Sequence, residues 1–168
     1  AMRRQGCAID GPVAGVDLVQ PLAALCARRG LRLFLLGAAP GVAMELAARL
    51  RDANQGLEVN AHSGGHDAGH DVETLHRIHD HRADVLLVAF GAPAQEMWID
   101  RMKSRLGVSV AIGVGGAFDY LTGRVPRAPG WMRRARLEWL GRLIRQPWRI
   151  RRMAVLPVYV MKVLRSPR

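Results

Sequence analysis

VLLVAFGAPAQEMWIDRM, residues 85–102, decides the fold. Six apolar residues run from Val85 to Phe90 without a polar interruption and stop at Gly91; from there the apolar residues fall at helical spacing over residues 94–105. An unbroken apolar run, rather than an alternating one, is what a parallel strand buried on both faces produces. The same unit recurs. Residues 31–36, broken only by Arg32, form a second run before a helical pattern at 42–51, and residues 108–114, broken only by Ser109, form a third. Residues 58–61 read as a further short strand, and residues 17–28 and 72–81 carry helical spacing. Strand alternating with helix predicts an α/β fold: a parallel sheet with helices on both faces, Rossmann-like, joined by right-handed crossovers. Ligands of such sheets bind at the carboxyl ends of the strands, here residues 37–41, 91–95 and 113–119.

Charge divides the chain. Residues 1–123 hold 12 Lys and Arg against 13 Asp and Glu, net −1, and residues 124–168 hold 13 against the single Glu138, net +12. We therefore read residues 1–123 as an α/β core and residues 124–168 as a basic amphipathic helical appendage. In it Trp131, Leu137, Trp139, Leu140, Leu143 and Trp148 are interleaved with Arg133, Arg136, Arg142, Arg145, Arg149 and Arg152. Tryptophan and arginine on one amphipathic helix suit an interfacial membrane element, so an anionic membrane surface is the expected partner. A non-enzymatic protein that binds nucleic acid or anionic lipid through this tail is the alternative. The chain shows no nucleic-acid motif and no aromatic platform on its strands, so no nucleic acid is expected. Self-association is left open.

At 168 residues and 49% hydrophobic content the chain is large enough for a real core. Cys7 and Cys26 lack a CxxC or CxxH context and read as reduced structural thiols, which fits a cytoplasmic compartment. No signal sequence opens the chain, and no apolar run approaches the roughly 20 residues of a spanning helix.

Each strand end has its own chemistry. In GAAPG, Gly37 can leave the strand sharply and Gly41 can open a helix whose N–H groups favour phosphate, although a purely structural turn fits as well. In GAPAQE, Gly91 ends the strand, and Gln95 with Glu96 occupies the first helical turn, as dipole partners or as substrate ligands. In GVGGAFD, Gly115 and Gly116 let a ligand approach the backbone, and Asp119 is placed to accept from sugar hydroxyls or to cap a helix. All six histidines fall between His62 and His81. No Cys or Glu completes a known ligand spacing among them, so a solvated loop and helix, without metal, is the expectation.

These motifs in order, GVDL (15–18), RLFLLGAAPGV (32–42), GAPAQEMWI (91–99), GVGGAFDYLTGRVPRAPGWM (113–132) and LEWLGRLIRQPWRIRR (137–152), resemble the WecG/TagA/CpsF glycosyltransferase family. The resemblance implies transfer of an N-acetylmannosamine-type sugar, or a related hexose, from a UDP donor to a polyprenyl-diphosphate-linked acceptor sugar. The products belong to teichoic acid, enterobacterial common antigen or capsule synthesis. It further implies inversion at the anomeric carbon without metal or other cofactor, and peripheral attachment to the inner face of the bacterial plasma membrane. Carried over by motif, the catalytic positions fall on Gln95, Arg142, Arg149 and Arg152. The substrate-binding positions fall on Asp17, Gly37, Gly41, Gly91, Glu96, Gly115, Gly116, Asp119 and Arg127. Arginine fits the role, since its charge does not titrate at neutral pH and its fork grips a diphosphate.

Two departures bear on activity. Pro12 stands where the family carries arginine, and the family's TxN strand and ADG segment, which supply the implied aspartate base, have no counterpart. The chain is therefore expected to be a fragment or truncated member that transfers sugar poorly. Nothing in the motif moves the base role to Asp10.

Overall fold

A computed structural model describes residues 13–126, within which Val13–Val125 forms one compact unit. In chain order its elements are α1 (Gly15–Arg29), β1 (Leu33–Gly37), α2 (Val42–Ala53), β2 (Val59–His62), α3 (Ala68–Asp80), β3 (Val85–Ala89), α4 (Ala94–Met102), β4 (Val110–Gly113) and α5 (Ala117–Leu121). The four strands lie in the order β2-β1-β3-β4 and every pairing is parallel. The α/β, Rossmann-like architecture expected from the apolar runs is the one formed.

Successive side chains of a strand point to opposite faces, so an all-apolar strand needs cover on both. It has it. Leu33, Leu35, Val85 and Leu87 pack with Val19, Ala23 and Cys26 of α1 and Leu46 and Leu50 of α2. Phe34, Leu36, Leu86 and Val88 pack on the other face with Leu75 and Ile78 of α3 and Trp98 and Met102 of α4. Each such side chain contributes about 1.5–3 kcal/mol by leaving water, and every residue of β1 and β3 is buried.

β4 departs from the expectation drawn from residues 108–114. It is four residues long, Val110 is 45% exposed, and the rest are only half-buried. Among the described residues it pairs with β3 alone. An apolar run reports what a strand is made of, not how many neighbours it has. Other boundaries move for local reasons: α3 starts at residue 68 rather than 72 because Asp67 caps it, its carboxylate accepting the Gly69 N–H at 3.1 Å. α4 stops at Met102 rather than 105, where Arg105 and Leu106 turn back to donate to the Met102 carbonyl. Cys26 is a buried free thiol, its pKa raised by burial and then by the nearby Asp84 charge, as suits a structural residue. Cys7 and the appendage lie outside the described residues.

Candidate functional site

From β1 the chain crosses one face through α2 to reach β2, then returns over the opposite face through α3 to β3. β1 and β3 are thus neighbours whose outgoing helices cover opposite faces, and the crevice beyond their carboxyl ends is a topological switch point.

The crevice is built by close backbone approach. At Gly37, φ is +103°, and a Cβ would stand 2.9 Å from the Ala89 carbonyl carbon and 3.0 Å from the Phe90 ring. Ala38 donates to the Ala89 carbonyl at 3.1 Å, locking the two strand ends together. Gly41 is the N-cap of α2, with no side chain capping it. Instead Arg124 reaches this helix start: its guanidinium bonds Glu45 at 3.4 Å and lies 3.8 Å from where a Gly41 Cβ would be. The cation therefore sits at the positive end of a helix, an arrangement that favours an anion there.

At the end of β3, Gly91 leads through Ala92 and Pro93 into α4. Gln95 points inward and is 5% exposed. Its Oε1 accepts the Gly115 N–H at 2.8 Å, and its Nε2 donates to Glu96 Oε1 at 2.7 Å. Beyond β4, Gly115 has φ +59° and nothing within 4 Å of a notional Cβ, so the turn is open outward. Asp119 lies within the first turn of α5 and does not cap it. Its Oδ2 is 3.9 Å from the Gly116 Cβ position, and among the described residues no side chain or N–H bonds its carboxylate. Gly15, the first residue of α1, packs against the Val114 backbone, with a notional Cβ 2.8 Å from the Val114 carbonyl oxygen. That brings exposed Asp17, two residues on in the first turn of α1, to the same edge.

The structure thus gathers Asp17, Gly37, Gly41, Gly91, Gln95, Glu96, Gly115, Gly116 and Asp119 at the carboxyl edge of the sheet. Arg127, Arg142, Arg149 and Arg152 lie outside the described residues. Arg124, marked in the sequence only as a boundary, joins the set; no local motif announces it, because its partner Glu45 is 79 residues away.

A second group missed in the sequence braces the turn after β2. Asp71, 7% exposed, accepts from the Trp98 indole at 2.9 Å and from Arg101 at 3.0 Å, while Arg101 also donates to the His66 carbonyl at 3.1 Å. Phe90 packs between the His66 and Trp98 rings. His70 and His81 serve structural ends here. His70 pairs with Asp67 at 2.7 Å, a hydrogen bond that raises the imidazole pKa and lowers that of the carboxyl. His81 bonds the Leu33 carbonyl, and burial holds its pKa down. His62 departs from the solvated-loop expectation: its side chain is 15% exposed, its Nε2 has no hydrogen-bond partner among the described residues, and burial depresses its pKa, with Arg77 adding to the effect. Among the described residues no group of three His, Cys, Asp or Glu could hold a metal ion.

Fold and site together define a doubly wound α/β domain with a glycine-lined switch-point crevice that presents carboxylates and a guanidinium. The whole chain, residues 1–168, matches the glycosyl transferase WecG/TagA/CpsF family. It is similar to two curated proteins each named N-acetylglucosaminyldiphosphoundecaprenol N-acetyl-beta-D-mannosaminyltransferase. One, from Bacillus subtilis (strain 168), is 33% identical over 158 residues, 94% of this chain and 61% of the relative. The other, from Bacillus spizizenii (strain ATCC 23059 / NRRL B-14472 / W23), is 35% identical over 163 residues, 97% of this chain and 63% of the relative. The chain belongs to the WecG/TagA/CpsF family of glycosyl transferases, and it spans about three fifths of the length of these relatives.

Proposed function

We propose that the chain binds the UDP-sugar donor of an inverting, metal-independent glycosyltransferase that moves an N-acetylmannosamine-type sugar to polyprenyl-diphosphate-linked N-acetylglucosamine. The relatives' names supply the sugar and the acceptor. One observation carries the assignment of the donor site: in a member of this family, the glycine turns of three strand ends line the carboxyl edge of the sheet beside the switch point, with an Asp119 carboxylate that no group among the described residues bonds. Asp119 accepts from donor hydroxyls, the Gly115–Gly116 backbone lies along the nucleotide, and the diphosphate lies toward Gly41 and Arg124. In transfer, the bond from the anomeric carbon to the diphosphate oxygen breaks as the acceptor hydroxyl oxygen bonds that carbon from the opposite side, and the hydroxyl proton passes to a general base, the role that the family resemblance gives to an aspartate. Negative charge grows on the departing UDP, and fixed N–H donors and guanidinium groups stabilise it without reorganising. The bacterial inner-leaflet surface is the proposed docking place of residues 124–168, since each basic residue near an anionic bilayer contributes on the order of 1 kcal/mol. Among the described residues no helix is long and apolar enough to cross a membrane.

Calorimetric titration of the full chain with UDP, with and without EDTA, tests the donor site. Binding is expected in both, and Asp119→Asn is expected to weaken it roughly tenfold through a lost charge-assisted hydrogen bond. A folded chain that gives no heat with UDP, or binds only with metal, overturns the reading. Co-sedimentation with anionic and neutral vesicles tests the surface. The full chain is expected on anionic vesicles at low salt; equal partitioning of a 1–123 truncation removes that role.

A further inference from the structure

We infer that Gln95 is a positioning residue for the donor, one that stays out of contact with it and fixes two groups that border it, the Gly115 turn and the Glu96 carboxylate. This rests on the donor reading above. An amide side chain has one acceptor end and one donor end, and here each has the partner it needs: the Gly115 N–H at 2.8 Å and Glu96 Oε1 at 2.7 Å. At 5% exposure, water is poorly placed to replace either partner. The reach between strands requires glycine at 113, where a Cβ would stand 2.5 Å from Gln95 Nε2 and 2.8 Å from its Cδ. With the Gly115 N–H turned inward to Gln95, the next one, of Gly116, has no partner among the described residues and stays available at the open side of the turn. Glu96 is exposed, and among the described residues only one of its oxygens is engaged. Gln95 therefore couples the end of β3 to the end of β4 and decides where an open donor and an open acceptor stand. No other uncharged side chain of this length matches both partners. A glutamate in its place must keep its proton to donate to Glu96.

That requirement gives the test. UDP is titrated into the full chain, wild type, Gln95→Glu and Gln95→Ala, between pH 5 and 8, and amide exchange is followed in the unliganded proteins. Glu96 on α4, Asp119 on α5 and Asp17 on α1 are the titratable groups at the surrounding turns. They are common to all three proteins, as is the titration of UDP itself, so the ratio of variant to wild-type affinity isolates position 95. For Gln95→Glu that ratio is expected near one at pH 5. It should fall at least tenfold by pH 8, as the introduced acid ionises against Glu96. For Gln95→Ala, exchange at Gly115 should quicken about tenfold while Val88 in β3 is unchanged, the loss of one hydrogen bond. A ratio flat with pH, or Gly115 exchange unaltered in both variants, overturns the inference. If wild type does not bind UDP, the donor reading fails, and the exchange measurement still decides whether Gln95 holds the turn.

Discussion

The two ends of this sheet are built by different means. At the amino end, hydrogen bonds stitch neighbour to neighbour. Asp84 takes the Arg32 backbone N–H at 2.8 Å and its guanidinium at 3.0 and 3.1 Å, and the Asp84 N–H returns to the Arg32 carbonyl. Ser109 donates to the Asp84 carbonyl and Leu33 to that of Glu58, so all four strands are tied before they begin. At the carboxyl end, close packing at glycines accompanies the hydrogen bonds of Ala38 to Ala89 and of Gly115 to Gln95: Gly37 against the Ala89 backbone, Gly15 against the Val114 backbone, Gly113 against the Gln95 side chain. Even Ala38 is held at φ +65°. Among the described residues, closure by small residues leaves polar groups such as the Gly116 N–H and the Asp119 carboxylate without partners. Closure by ion pairs leaves few. One end serves stability, and the other is the proposed ligand site.

The contrast can be broken most forcefully at Gly37. Gly37→Val combines a left-handed backbone with a clash against Ala89 and Phe90, and is expected to destabilise by about 3 kcal/mol. Urea unfolding followed by circular dichroism measures it, and a change below about 0.5 kcal/mol contradicts the close-approach account. Asp71→Ala comes next, at about 2 kcal/mol, because it strips the buried Trp98 N–H and the Arg101 guanidinium of their acceptor. A loss confined to UDP affinity, with unchanged unfolding, speaks against a bracing role.

The smallest effect lies at the amino end and sharpens the comparison through pH. Asp84 is held at a pKa of about 2 by hydrogen bonds from the Arg32 side chain and backbone, below the ordinary 3.8. A depressed carboxylate stabilises the fold above its unfolded pKa and loses that contribution as pH falls through its folded one. Wild type should therefore exceed Asp84→Asn in urea midpoint at pH 5, and the gap should narrow from about pH 4 toward pH 2. A gap that widens on acidification contradicts this role.

What the sequence discloses follows from the range of each interaction. Strands β1 and β3 are legible because burial on both faces forces unbroken apolar runs, Leu33 to Leu36 and Val85 to Phe90. The half-exposure of β4 is not, since it depends on where in the sheet the strand lands. The glycine turns announce themselves locally, as GAAPG and GVGG. The bond from Gln95 to Gly115 spans 20 residues and exists only once β3 and β4 are in register, with Val88 opposite Gly113. Asp71 sits in a segment rich in Asp, Gly and His that reads as solvated, and it is buried because Trp98 and Arg101 come to it from another helix.

The carboxyl end of the sheet is the proposed donor site. Amide hydrogen exchange of the full chain, with and without saturating UDP, tests it most directly. Protection is predicted at residues 37–41, 91–96 and 113–119, with Arg32, Asp84 and their neighbours unchanged. Protection concentrated at the amino end, or none at the three glycine turns while UDP is bound, would contradict it.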